Sequence, residues 1–213
     1  MHAGGAFQQN GYLVRCLATD RVAVVDPGAA APSMVRAAEE GGWEIEAIYL
    51  THAHFDHVEG LPVLREVTDA PIHLHPADRP LLDRAQEQAA AFGMELEGGL
   101  PPPDREIVPG EKLPVGEQHF EVRFAPGHSP GHVVLYSPVG RFALVGDVVF
   151  RGSIGRTDLP GGDFQELMSS IRSQILTLPD DTRLLTGHGP ETTVGDERRG
   201  NPFLIAHFRG EFA

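Results

Sequence analysis

Four side chains able to ligate a metal fall within six positions of the run Thr51-His52-Ala53-His54-Phe55-Asp56-His57. They follow an apolar stretch, Ile45 to Leu50, that reads as a strand running out into a loop. Strand-like alternation places His52 and His54 on one side of the chain. Asp56 and His57 stand where the backbone turns into the next helix and face the same cavity from another direction. A zinc ion takes four ligands, and a catalytic one keeps a position for water. Four protein ligands this close therefore point to two adjacent ions completed by residues far away in the chain.

The distant partners share one local pattern. His128 lies in Ala125-Pro126-Gly127-His128-Ser129-Pro130-Gly131-His132, a turn-rich joint between the strand-like runs Phe120 to Phe124 and Val133 to Ser137. Asp147 ends the apolar run Phe142 to Val145 after Gly146, and His188 ends Leu184-Leu185-Thr186-Gly187 with a glycine on either side. Residues at strand ends cluster along one rim of a sheet, and glycine there lets the backbone bend and approach an ion. The candidate ligands are His52, His54, Asp56, His57, His128, Asp147 and His188, with Asp56 and Asp147 the catalytic candidates. Nitrogen and oxygen donors without a thiolate suit zinc, iron or manganese.

Other histidines read as bystanders. His73 and His75 form a second H-x-H, but no carboxylate follows and Pro76 starts the next helix. His132 begins a strand and is expected to hydrogen-bond near the site rather than to ligate. His2, His119 and His207 read as surface or packing residues.

The elements that must position these residues alternate along the chain. Strands are expected at Tyr12 to Leu17, Arg21 to Val25, Ile45 to Leu50, Ile72 to Leu74, Phe120 to Phe124, Val133 to Ser137, Arg141 to Val145 and Arg183 to Thr186. Helices fit Ser33 to Glu40, His57 to Val67, Ala77 to Phe92, Phe164 to Leu176 and Arg198 to Phe208. In the fourth, Asp163 and Glu166 make a capping box, and Phe164, Leu167, Met168, Ile171 and Ile175 recur at helical spacing. Hairpin signals such as Pro138-Val139-Gly140-Arg141, mixed with strand-helix-strand units, point to two sheets packed face to face with helices outside, an α/β fold in the form of an αββα four-layer sandwich. Glu97 to Asp104 is too rich in glycine and proline for regular structure and reads as a surface loop.

A length of 213 residues suits a single domain, 1–213, and shows no composition break. The formal charge of −13 speaks against a nucleic-acid surface, which needs a basic stripe to displace counterions. A single cysteine, Cys16, excludes an internal disulfide and reads as a packing residue. Neither a secretion signal nor a membrane-length apolar run stands out, so a cytoplasmic enzyme with no membrane partner is expected. The pattern is silent on oligomeric state.

The order H-x-H-x-D-H, then G-H-[ST]-x-G, then G-D, then G-H-G resembles the metallo-β-lactamase-fold hydrolases, glyoxalase II (hydroxyacylglutathione hydrolase) above all. The likeness extends from Gln9-Asn10-Gly11-Tyr12 and Val25-Asp26-Pro27-Gly28 to Glu197-Arg198 and Asn201-Pro202-Phe203. It implies one metal on His52, His54 and His128, a second on Asp56, His57 and His188, and Asp147 bridging both. A hydroxide shared by the two ions would attack a thioester carbonyl and release a thiolate, with Asp56 helping to orient it. The expected substrate is a small, anionic thioester such as S-D-lactoylglutathione, and Arg156 stands where glyoxalase II has a basic residue for a glutathione carboxylate. The chain ends soon after Phe203, so it resembles the short bacterial type without the helical C-terminal domain, and another thiol carrier is open. β-Lactamases of the best-known classes carry cysteine where Asp147 stands, which disfavours antibiotic hydrolysis. Persulfide dioxygenases resemble the same pattern and hold one iron on residues matching His52, His128 and Asp147; that activity is the alternative, and a non-catalytic metal protein a third reading.

Overall fold

The computed structural model describes residues 1–208, and among these the strands form two mixed six-stranded sheets. The first holds β1 (His2–Gly4), β2 (Gln9–Arg15), β3 (Arg21–Val25), β4 (Glu44–Tyr49), β5 (Ile72–Leu74) and β6 (Arg105–Glu106), in chain order. Its β3, β4, β5 and β6 run parallel. The chain continues through β7 (Lys112–Val115), β8 (Gln118–Phe124), β9 (Val133–Ser137) and β10 (Phe142–Gly146), then a separate hairpin of β11 (Val149–Phe150) and β12 (Ser153–Ile154), then β13 (Arg183–Thr186) and β14 (Thr192–Thr193). The second sheet has the order β14-β13-β10-β9-β8-β7.

Strands buried on both faces explain the layering. In β3, Ala23 and Val25 point between the sheets, where they meet Tyr12, Tyr49, Phe120, Leu135 and Leu144, whereas Val24 points outward. The outward set, Val24, Ile48, Ile72 and Leu74, packs on α1 (Ala31–Gly41), α3 (Leu61–Arg65) and α5 (Ala85–Ala91) through Met34, Leu61, Leu64 and Ala89. On the other side Val134, Ala143, Val145 and Leu184 pack on α6 (Phe164–Ser170) and the turn of π-helix that continues it, Ile171–Ile175. A period-2 strand with helices on one face and a sheet on the other must be apolar at nearly every position, as β3 and β9 are. The result is the expected αββα sandwich.

Several helices are shorter than the periodicity predicts. His57 to Val67 divides into α2 (Phe55–Val58) and α3, because Gly60 packs its backbone against Pro27 and Gly28 and Pro62 restarts the helix in its first turn. Ala77 to Phe92 becomes a 3-10 turn, Pro76–Asp78, then α4 (Arg79–Asp83) and α5. Arg198 to Phe208 breaks into α7 (Val194–Gly200) and α8 (Pro202–Phe208) at Asn201, which is extended because a proline follows it. Asp163 caps α6 by accepting from the Glu166 N–H at 2.8 Å, as its capping box predicts. The expected strand to Leu17 stops at Arg15, with Cys16 buried beyond it, and the short strands β1, β6, β7, β11, β12 and β14 carry too few residues to show a period of their own. No described helix is long and apolar enough to cross a membrane.

Candidate metal centre

All seven predicted ligands meet at one end of the sandwich. His52 follows β4, His54 is the N-cap of α2, and Asp56 and His57 lie within α2. His128 comes from the β8–β9 loop, Asp147 directly follows β10, and His188 follows β13. These connections are held by buried strands, which is how a rigid scaffold fixes functional loops. Glycine lets them close on one another. Gly127, at φ +122°, packs its backbone against Leu167 of α6, and a Cβ on Gly187 would run into the Asp147 carboxylate and the His57 ring.

The candidate ligating atoms fall into two sets. One atom from each of His52, His54 and His128, and likewise from Asp56, His57 and His188, lies within 4.8 Å of the others in its set. Asp147 stands between them: Oδ1 is 3.4 Å from His57 Nε2, and Oδ2 is 3.5 Å from both His128 Nε2 and His188 Nε2. Asp56 Oδ2 is 3.3 Å from His188 Nε2. Two donors each about 2.1 Å from one tetrahedral ion are separated by roughly 3.4 Å. Buried His52 Nε2, His57 Nε2 and Asp147 Oδ1 have no hydrogen-bond partner, an expensive condition for interior polar atoms. The donor set and its orphaned atoms fit divalent cations.

Neighbours set the orientation of each ring. His57 Nδ1 donates to Asp26 Oδ2 at 3.0 Å, His128 Nδ1 donates to the Arg156 carbonyl at 2.8 Å, and His188 Nδ1 donates to the Phe7 carbonyl at 3.0 Å. In each case Nε2 faces the cluster, and its lone pair is free for a metal once the ring is neutral.

The two sets differ electrostatically. Burial, and then the neighbouring His57, His132 and His54, hold His52 well below the usual imidazole range, while burial and His128 bring His54 down to about 3. Those rings are neutral, with lone pairs ready for a metal. Burial also pushes His57 and His188 down, but the carboxylates outweigh it: Asp147 and Asp56 raise His57 well above the usual range, and bonds to the same two residues bring His188 to about 10. Burial would raise Asp147, yet His57 and His188 hold it well below the carboxylate range. Imidazolium protons here offset the carboxylates where cations would, and metal binding must displace them.

Three supporting residues, Asp26, Asn10 and Asp78, have roles that the motifs do not assign. Asp26 falls within ligand spacing of His52 and His57, but its oxygens accept from the Thr51 N–H at 2.7 Å, the Thr51 hydroxyl at 2.6 Å and His57. It is an orienting carboxylate in a left-handed backbone at φ +49°. His132, expected near the site, accepts the Asp147 N–H at Nε2 over 3.0 Å and stacks on His52. Asn10 donates to the Thr186 and Gly189 carbonyls at 3.0 and 2.8 Å, tying β2 to the turn that carries His188.

Asp78 is the third. Fully buried, it accepts from the Ala53 N–H at 3.0 Å, the Ser129 hydroxyl at 2.7 Å and the Gly131 N–H at 2.5 Å, so it clamps the His52–His54 segment of one half to the His128 loop of the other. Asp78→Ala leaves those donors unsatisfied. We expect a loss of about 3 kcal/mol or more, a fall in Tm of roughly 6 to 12 °C, and weaker metal retention. Thermal unfolding with and without a chelator checks this; an unchanged Tm would deny Asp78 the clamp.

His73 and His75 lie elsewhere, as expected: His73 packs edge-on against Tyr49 and His75 stacks on Phe124. Arg156 does reach the cleft above the ligands, but its Nε and Nη2 donate to Asp158 at 2.7 and 2.8 Å.

Comparison with known proteins agrees with this geometry. The chain is 40% identical over 200 residues to the probable metallo-hydrolase YqgX of Bacillus subtilis, covering 94% of each. It is 39% identical over 202 residues to the hydroxyacylglutathione hydrolase GloC of Haemophilus influenzae, covering 93% of this chain and 94% of that one. Its structure is similar to a di-iron-bound form of TTHA1623, with TM-score 0.87, 43% identity, and coverage of 95% of this chain and 98% of the other. It is also similar to the BLEG-1 B3 metallo-beta-lactamase, with TM-score 0.88, 36% identity, and coverage of 95% and 97%. Residues 4–188 match the family description itself, and the chain belongs to the metallo-beta-lactamase superfamily.

Proposed function

We propose that this protein is a metal-dependent thioester hydrolase that uses two divalent ions to split S-D-lactoylglutathione or a related acyl-thiol. The observation that carries the reading is Asp147, whose two oxygens lie between a neutral histidine trio and an Asp-His-His set. Its place supports a shared ligand, with His52, His54 and His128 holding one ion and Asp56, His57 and His188 the other. The name hydroxyacylglutathione hydrolase, carried by a relative at 39% identity, supports the choice of a thioester.

Bound ions would supply an acidified water and an electrophile for the carbonyl oxygen. The chain supplies the rest. Asp26, Phe7 and Arg156 fix the tautomers of three histidines through Nδ1. Asp56, ionised because His57 and His188 outweigh its burial, is placed to accept a hydrogen bond from the attacking water and orient it. Water contributes OH to the acyl carbon and H to the sulfur as the C–S bond breaks. A thiol is acidic enough to leave without a strong general acid, since its pKa is about 8.5.

Elemental analysis with chelator titration, run beside assays of thioester hydrolysis, oxygen uptake and β-lactam opening, tests this. Up to two ions per chain with thioester cleavage and no oxygen uptake is expected. Saturation at one iron with oxygen consumption would replace the reading by a persulfide dioxygenase. Preferential β-lactam turnover, the reading that likeness to BLEG-1 favours, would replace the substrate class.

A further inference from the structure

The metal ligands open into a cleft of about 340 Å³ whose surface is mostly apolar. One wall is aromatic. Phe7, from the β1–β2 loop, meets Phe55 and Phe92 edge-on at 5.6 and 5.4 Å between ring centres, and Phe55 and Phe92 are 5.8 Å apart. Phe55 is buried, yet Phe7 and Phe92 leave 41% and 43% of their surface exposed. Two large rings exposed beside a reactive site mark a surface that a ligand covers. The β11–β12 hairpin also lines the cleft, with Phe150 and Ile154. That hairpin is pinned: Glu197 accepts the Gly152 N–H at 2.9 Å, and Asn201 donates to the Ser153 carbonyl at 2.9 Å and to Glu197 at 2.8 Å. The hairpin is thus held in place before a substrate arrives.

Charge in the cleft points the same way. Its cation, Arg156, is held by both carboxylate oxygens of Asp158, and the remaining charged lining, Asp56, Asp147 and the histidines, belongs to the metal set.

We propose that the cleft selects thioesters by an apolar, uncharged acyl group of aryl or branched-alkyl size, seated against Phe7, Phe92, Phe150 and Ile154. This rests on the thioesterase reading and, among its acyl-thiols, ranks lactoyl below larger apolar acyl groups. Both arms of a thioester leave the carbonyl carbon by one bond, and the shorter acyl arm is assigned to the walls of this small cleft, the longer thiol carrier to its exposed margin. The departing thiol faces the open rim at Arg156, which is exposed.

The test uses the metal-loaded full chain and two series of substrates. In one, acetyl, lactoyl, isovaleryl and phenylacetyl groups are carried on a single neutral thiol, N-acetylcysteamine. In the other, one acyl group is carried on neutral and on anionic thiols. The ratio of kcat/KM for phenylacetyl over acetyl should be on the order of tenfold to a hundredfold, and Phe92→Ala should cut that ratio by about tenfold. Phe7→Leu, which keeps apolar volume, should cut it less. A flat acyl series, a preference that follows only the thiol, or a ratio that survives Phe92→Ala would overturn the proposal. Should no thioester turn over, the thioesterase reading falls separately, and calorimetric binding decides the cleft: phenylacetate must bind more tightly than acetate, with the difference lost in Phe92→Ala.

Discussion

Asp147→Ala should abolish turnover and weaken both metal sites together. Replacing a residue that merely supports a ligand costs about 10- to 100-fold. A carboxylate set between two ions is expected to exceed that range, so we expect a loss of at least about a hundredfold. Asp147→Asn should be nearly as damaging, because a neutral amide cannot balance two cations from a position whose Oδ2 lies 3.5 Å from both His128 Nε2 and His188 Nε2. In the metal-free protein the same change removes the group that raises His57 and His188, so both imidazoles should titrate lower than in the parent. Elemental analysis of purified variants, with kinetics in excess metal, decides the matter. Retention of both ions with a normal rate would remove Asp147 from the centre.

Nearly as large an effect is expected from the histidines, and it separates ligands from look-alikes. His54→Ala, His128→Ala and His188→Ala each delete a donor from a set whose atoms lie within 4.8 Å of one another, so each should lose metal and at least about a hundredfold in rate. His73→Ala and His75→Ala should keep metal and remain within about threefold of the parent enzyme. The cost there is packing: His73 loses an edge-on contact with Tyr49 at 4.9 Å and His75 a stack on Phe124 at 4.6 Å, each worth about 1 kcal/mol. Rates, metal content and Tm measured on the five variants check this. A folded, metal-free His73→Ala protein would relocate the centre.

Both predictions concern residues whose roles are partly local. His52, His54, Asp56 and His57 share one strand-to-helix turn, so their convergence follows from spacing alone. His128, Asp147 and His188 announce themselves by glycine-flanked positions after apolar runs. The layers are equally legible, because strands such as β3 and β9, apolar at nearly every residue, require cover on both faces. Helix ends were harder to place. A hydrophobic stripe continues across Gly60 and Asn201, but a close backbone approach at the first and a following proline at the second stop the helix, and neither enters a periodicity.

By itself, then, the sequence determined the candidate ligand set, its order and the sandwich that carries it, since each depends on residue type and on neighbours a few positions away. Only the tertiary structure decided what surrounds that set. Asp78 joins positions 53, 129 and 131, Asp26 joins 51 and 57, and the aromatic wall joins 7, 55 and 92. Arg156 lies two residues from Asp158, close enough to suggest either a pair or a free cation, and the folded loop settled on the pair. Such contacts depend on how two sheets pack and where loops close over their ends. Long-range packing of this kind leaves no local period, charge pattern or spacing for a single chain to display.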